Sequence, residues 1–568
     1  MRRHTVALSV AVLVAAALVT APTPGLTQEQ ALRQQLGRTT CAAPTELLVR
    51  TWRGHRADRG GDLELLPQEP DFVGHGGLPH SGPWDYVAEV PLLLYGPGYI
   101  EAQEAVDRSV TLADIAPTQG ELVGFPFDAP DGAPLSEALV PESERPAEPP
   151  KLVVVVVWDG AGRAVLDEWP NAWPELQRTI EQGTWYERAE VGSSPPSTAQ
   201  IHATIGTGAF SRNHGLVAHT LRIGDRLTDP WEAGSRYLTA ATFADLYDRA
   251  EGNRPIVGTL ATVAIQMGMM GHGSLWGGGD RDIAVLRERE GAATLGAEGI
   301  SWNLTSNVAP YYRLPAYVND LPPITEYFDE TDLQDGRDDE RWHELGLEDA
   351  LAEEALKTPA RIPFQTRLIE EVIEREGFGA DEVPDLLYIN YKLIDEIGHL
   401  YSMNSVEMRD SIEVQDAELP VLIDLLNEHV GEGEWVMALT ADHGHTPDPN
   451  VSGAAVISPT AVADVIQAEF DTDGDDTRIV EFTQPTQVFI DLDEMAQNGT
   501  TLEEISAYML TVTKGDVEGG EYPVAPDVAD EPAFLAVYPS SMIDDLPCLQ
   551  GKIPDHGSKD AVLQSAGG

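Results

Sequence analysis

Cysteine is nearly absent: the 568 residues hold two, Cys41 and Cys548. One disulfide is therefore the most the chain can form. In an exported protein so sparse a pair reads as that one bond, with two unpaired thiols as the alternative. Basic residues are scarce as well, 36 Lys+Arg against 94 Asp+Glu, for a formal net charge of −58. Such a field repels nucleic acid and anionic membrane surfaces and favours cations and solubility, and no nucleic-acid-binding surface is evident. Long apolar runs are missing beyond the N-terminus. There, Val6 to Val19 follows Arg2, Arg3 and His4 and precedes small residues and Pro22 to Pro24. This pattern reads as an export signal over 1–27, too short for a membrane span; an uncleaved anchor is the alternative. The expected location is secreted or extracytoplasmic, with no stable membrane span once the signal is removed. No internal repeat is present.

The apolar fraction, 42%, is ample for a packed core. The chain is organised around Leu152 to Trp158, whose five consecutive valines show neither helical period nor alternation. Such a run reads as a strand covered on both faces, central to a parallel sheet. It ends on Asp159-Gly160, where open α/β sheets bind their ligands. Asp159 there suits a metal, or caps the next helix. Two more apolar strands end alike: Asp385 to Tyr391 leads to Asp395 and His399, and Trp435 to Thr440 leads to Asp442-His443. Between them a helix start is signalled at Pro195-Pro196-Ser197-Thr198.

Three such endings converge at one edge of a parallel sheet. Mixed imidazole and carboxylate ligands suit Zn²⁺ best, with Mn²⁺ or other ions as alternatives. Five ligands exceed one tetrahedral ion and nearly suffice for two. Two metal ions clamp the attacking and leaving oxygens of a phosphoryl displacement. Thr198, at a helix N-terminus that also favours phosphate, is the candidate nucleophile; a plain helix cap is the alternative. The acidic turn Asp471 to Asp476 has its glycine misplaced for a calcium loop.

These residues together resemble the alkaline phosphatase superfamily, in particular its type I phosphodiesterase/nucleotide pyrophosphatase branch. The motifs are Asp159-Gly160, Thr198 with His202 and Thr207-Gly208, Asn213-His214-Gly215, Asp395 with Gly398-His399, and Asp442-His443-Gly444. The resemblance implies an α/β fold: an alkaline-phosphatase-like, mostly parallel sheet with helices on both faces, plus an inserted cap subdomain. It implies two divalent metal ions, best Zn²⁺. Asp159, Thr198, Asp442 and His443 would bind one; Asp395, His399 and a further histidine would bind the other. Where the family often carries Asn, this chain has His219. The family's last histidine follows Asp-His-Gly in a His-Gly-Ser stretch before Val-Pro-Leu and Gly-Pro-Gly. Here the matching stretch, His80-Ser81-Gly82 with Val90-Pro91-Leu92 and Gly96-Pro97-Gly98, is N-terminal. The resemblance thus implies a circular permutation with His80 as the missing ligand. His556 in Asp555-His556-Gly557-Ser558 is the rival, and His75 the third candidate. His202, His272 and His445 read as structural or supporting residues, His445 being close enough in sequence to matter.

The expected organisation is a signal at 1–27, a permuted piece completing the catalytic domain at 28–140 and a linker at 141–150. Catalytic core follows at 151–220, a cap or insertion at 221–380, and core again at 381–568. The implied activity is an exported two-metal hydrolase of a small phosphate-ester substrate, phosphodiester or nucleotide-type, through a phosphothreonine that water releases. Phosphomonoester or phosphonate hydrolysis is the alternative, and a non-catalytic metal-stabilised surface protein the more distant one. A sulfatase is disfavoured, because the nucleophile position holds Thr198 rather than a modifiable Cys or Ser.

Overall fold

The computed structural model describes residues 27–74, 78–103, 105–231, 233–287, 296–519 and 522–553. The export-signal reading, His75 and the tail motif with His556 lie outside these residues, apart from residue 27 at the end of the signal. Thirteen strands matter for the site and its support. In chain order they are β1 (Leu63–Pro67), β2 (Glu89–Val90), β3 (Leu92–Tyr95), β4 (Val106–Thr111), β5 (Leu152–Trp158), β6 (Thr184–Glu190), β7 (Val257–Leu260), β8 (Ile283–Val285), β9 (Asp385–Tyr391), β10 (Trp435–Thr440), β11 (Val480–Gln484), β12 (Gln487–Ile490) and β13 (Phe534–Pro539). Five helices carry the argument: α1 (Thr198–Thr207), α2 (Phe243–Ala250), α3 (Arg361–Glu376), α4 (Leu393–Tyr401) and α5 (Val406–His429).

The central sheet runs β8-β7-β9-β5-β10-β3-β6-β2, with β4 paired to β6. Strands β8, β7, β9, β5 and β10 are mutually parallel; β3 joins antiparallel to β10. The valine run of β5 lies between β9 and β10 with every residue buried. β-Branched side chains fit the pleat, and helices on both faces exclude water from it. The fold is therefore the mixed α/β architecture expected, around a large, mostly parallel sheet. Within 221–380, β7 and β8 extend this sheet and α3 packs along α5; the other described residues of that stretch form α2, shorter helices, two small hairpins, 3₁₀ turns and loops.

A second, antiparallel sheet of order β11-β12-β1-β13 has its own core, including Leu63, Leu65, Val488, Ile490, Phe534 and Val537. Cys41 and Cys548 are bonded, with Cα atoms 5.6 Å apart across 507 residues of sequence. The N-terminal and C-terminal segments are thereby joined. Among the described residues, no helix is long and apolar enough to cross a membrane.

Candidate metal centre

The registers of β5, β9 and β10 bring the strand ends level. Tyr391 pairs with Trp158, and Thr440 with Val157. The residues that follow, Asp159, Lys392 with Asp395, and Asp442 with His443, therefore emerge side by side. Chain order is irrelevant to such an edge, because each strand contributes only its end. From the other side, α1 begins at Thr198, with Ser197 extended at the N-cap position (φ −119°, ψ 155°). Pro195 and Pro196 cannot continue a helix backward, so the chain enters α1 sharply. Gly208 closes it at φ +61°, a left-handed conformation in which a side chain is strained.

The carboxylates and imidazoles face one another. His443 Nε2 lies 3.6 Å from Asp159 Oδ1, 3.6 Å from Asp395 Oδ1 and 3.4 Å from Asp442 Oδ2. Asp395 Oδ1 is also 3.6 Å from His80 Nε2, 3.4 Å from His399 Nε2 and 3.7 Å from His445 Nε2. His80 stacks on His443 with ring centroids 3.5 Å apart. Three groups each have ligand atoms within 4.8 Å of one another: His80–Asp395–His399 and Asp395–His443–His445, which share Asp395, and Asp159–His202–Asp442. Asp395 Oδ1, Asp442 Oδ2, His443 Nε2 and both ring nitrogens of His445 are buried without a hydrogen-bond partner. Orphaned polar atoms are costly unless something completes them. Here all are metal-ligand types, and Asp395, His443 and His445 each offer one ligand atom within 4.8 Å of the others.

Other contacts orient these ligands. His80 Nδ1 and His399 Nδ1 lie 2.8 Å and 2.9 Å from the carbonyl oxygens of Pro196 and Leu78, leaving each Nε2 toward Asp395. Such bonds select the tautomer a ligand needs. Gly160 N donates to Asp442 Oδ1 at 3.1 Å. His445 sits in a notch made by two glycines: a Cβ at Gly160 would lie 2.5 Å from His445 Nε2, and one at Gly398 would lie 2.3 Å from the ring.

Lys392 had no place in the sequence reading. Its ammonium is 2.7 Å from Asp159 Oδ1, 2.6 Å from Asp395 Oδ2 and 3.1 Å from Thr198 Oγ1. Lysines are normally solvated, and the acids it meets are assembled only by the sheet. Asn390 and Gln266 complete the shell, donating to Asp159 Oδ2 at 2.8 Å and 3.0 Å. One ammonium against the three carboxylates Asp159, Asp395 and Asp442 leaves negative charge in excess.

Protonation follows from this packing. Burial pulls His443 and His202 down to about 4 and moves His80 and His445 well below the ordinary imidazole value. These rings are neutral near pH 7, the ligating form. Burial opposes the charge on His399, but neighbouring Asp395 raises it. Burial, with Asp159 next to it, pushes Asp442 well above the usual carboxylate range. Burial works in the same direction on Asp395, yet Lys392 and His399 hold it well below.

All seven sequence-chosen residues, Asp159, Thr198, Asp395, His399, Asp442, His443 and His80, thus meet in one cluster. It also takes in His202, His445 and Lys392. His272 does not join them; it pairs with Asp245 at 2.7 Å. A cavity of about 330 Å³ opens on Thr198 and is lined by His80, His219, Trp231, Lys357 and His399 among others. His219, at the position where the family's Asn would stand, is packed against Trp231 with ring centroids 5.5 Å apart.

The sequence model of a family described as type I phosphodiesterase / nucleotide pyrophosphatase matches residues 153–545, more than half of the chain. The chain is 22% identical over 356 residues to a protein of Myroides odoratus named calcium-transporting ATPase, covering 53% of this chain and 61% of that one. It is 24% identical over 162 residues to alkaline phosphatase PafA of Elizabethkingia meningoseptica, covering 28% and 30%. The matched stretches thus span less than two thirds of either relative. The crystal structure of wild-type alkaline phosphatase PafA superposes with a TM-score of 0.49 and 20% identity, over 64% of this chain and 76% of that one.

Proposed function

From a chain that belongs to the type I phosphodiesterase / nucleotide pyrophosphatase family, within the alkaline phosphatase superfamily, we propose an exported two-metal hydrolase of phosphate esters with Thr198 as nucleophile. The observation that carries the reading is the set of orphaned ligand atoms on Asp395, Asp442, His443 and His445 beside Thr198. Asp159, Thr198, Asp442 and His443 would hold one ion; Asp395, His399 and His80 the other, with His445 and His202 close enough to share. This donor set, imidazole and carboxylate without thiolate, fits Zn²⁺. Bound there, such ions supply Lewis-acid stabilisation of the charge that develops on a phosphoryl group.

The chain's own residues do the rest. Lys392 pairs with Asp159, holds Asp395 well below the usual carboxylate range and stabilises negative charge on Thr198 Oγ1. The N-terminus of α1 aims backbone N–H groups at the same space, which favours a phosphate there. Thr198 attacks phosphorus, the P–O bond to the alcohol breaks, and water later releases the phosphoryl group. His80, Pro195, Pro196 and Trp231 wall the cavity and limit the water that reaches it. The chain order we read as a circular permutation: residues 28–140 act as the family's C-terminal piece. Two observations support that order, the antiparallel pairing of β3 with β10 and the Cys41–Cys548 bond between the two ends.

The test is a side-by-side assay of zinc-loaded protein on a bis-aryl phosphodiester and an aryl phosphomonoester, with Thr198→Ala as control. Hydrolysis of at least one, lost in the variant with metal retained, supports the reading. No turnover of either by metal-replete protein removes it.

A further inference from the structure

On the opposite edge of the central sheet, away from the strand ends that carry the candidate centre, Asp248 of α2 meets Asp280 and Asp282. Asp282 immediately precedes β8, so it lies at that strand's amino end. The three residues offer carboxylate oxygens within 4.8 Å of one another. Asp248 is only 5% exposed, and its Oδ1 is buried with no hydrogen-bond partner. An ionised carboxylate shut away in this manner needs a counter-charge. Among the described residues none of the three forms a salt bridge; the charges of Arg249 and Arg313 act on Asp248 and Asp282 only from a distance. Arg313, the cation nearest Asp282 in the balance of charges, is committed to Glu376 at 2.6 Å. Arg249 follows Asp248 in sequence, forms no ion pair among the described residues, and has a buried Nε without a partner.

We propose that Asp248, Asp280 and Asp282 form a structural cation site, independent of the candidate catalytic centre, that takes Ca²⁺. Three oxygen donors with one side open to water suit a hard cation. Ca²⁺ tolerates the irregular geometry such a set offers, whereas Mg²⁺ requires a near-ideal octahedron, and Zn²⁺ prefers nitrogen and sulfur. Two consequences of cation-free carboxylate crowding agree with this. Burial, then Asp280 and Asp245, raises Asp248 to about 7; burial, then Asp248 and Asp280, moves Asp282 well above the usual range. An ion here would pin the end of α2 to the three-residue strand β8, which pairs with β7 on one side and, among the described residues, makes only a single bridge to Arg313 on the other.

The experiment is thermal unfolding of the zinc-loaded full chain, titrated with Ca²⁺ or Mg²⁺ up to about 1 mM, the range in which extracellular calcium modules bind. Wild type, Asp248→Asn, Asp280→Asn and the control Asp473→Asn are compared. The site predicts a calcium-dependent rise in Tm for wild type and Asp473→Asn, smaller with Mg²⁺, and none for Asp248→Asn. Asp280→Asn should weaken the response. Without calcium, Asp248→Asn should be at least as stable as wild type, since it removes repulsion; the two stability curves therefore cross as calcium is added. The proposal is overturned by the absence of any calcium response, by a response that survives in Asp248→Asn, or by one lost in Asp473→Asn.

Discussion

Lys392 and Asp159 form an ion pair 2.7 Å long in the floor of the candidate centre, 7% and 0% exposed at their side chains. Breaking a buried pair by removing one partner typically costs about 3–5 kcal/mol, because the other charge is left uncompensated. Lys392→Met should therefore destabilise metal-free protein by about that amount and zinc-loaded protein by clearly less, since bound cations neutralise the same carboxylates. Denaturant unfolding with chelator and with zinc checks this; an equal loss in both states would mean that Lys392 does not share its acids with metal.

Metal content distinguishes the histidines. His80→Ala and His445→Ala should each lower bound zinc, because both Nε2 atoms lie within 3.7 Å of Asp395 Oδ1. His556→Ala should leave zinc unchanged. Elemental analysis of the three variants gives the answer, and a loss of zinc in His556→Ala alone would move the ligand to the tail.

Much of this centre was legible before any coordinates. The endings of β5, β9 and β10 could be read because apolar, β-branched or aromatic runs mark buried strands and the acids stand directly after them. The start of α1 was marked by Pro195-Pro196. Lys392 could not be read, because its partners are brought close only by strand pairing: Lys392 and Asp159 are 233 residues apart. His445 follows His443 by two residues, and its role depends on the notch between Gly160 and Gly398, which no local pattern reveals. Strands β7 and β8 were hidden for another reason. They have four and three residues, too few to show a period inside a glycine-rich stretch. Leu63–Pro67 was lost within polar, Arg- and Gly-rich sequence, although its alternate members Leu63 and Leu65 anchor the second sheet.

Joining Cys41 to Cys548 constrains nearly the whole unfolded chain. The Cys41→Ser/Cys548→Ser double variant should lose about 2–4 kcal/mol of stability while turnover at moderate temperature is unchanged. Denaturant midpoints and initial rates test both halves; loss of turnover in folded double variant would tie the bond to the centre.

Acid should destabilise the metal-free protein in a defined window. His214, whose Nδ1 accepts from Leu216 N at 3.2 Å, is pushed by burial down to about 3. Its folded value lies below its unfolded one, near 6.5. Its contribution is therefore complete above about pH 6.5 and is lost as pH falls from there toward 3, at up to about 1.4 kcal/mol per pH unit. His219, at about 4, acts in the same direction. Unfolding free energy measured in chelator should fall as pH drops below 6.5, with a shallower fall in His214→Gln. Identical slopes in the two proteins would contradict the buried neutral ring.

The central claim is that Thr198, at the start of α1 and 3.1 Å from the Lys392 ammonium, is the atom that takes the phosphoryl group. The direct measurement is mass spectrometry of zinc-loaded protein quenched in acid during turnover of an aryl phosphate ester. The account predicts one phosphoryl group on the peptide carrying Thr198, absent in Thr198→Ala, whose turnover should fall by at least about 10³-fold with zinc content retained. Sustained turnover by Thr198→Ala, or a phosphoryl group found on another residue, would contradict it.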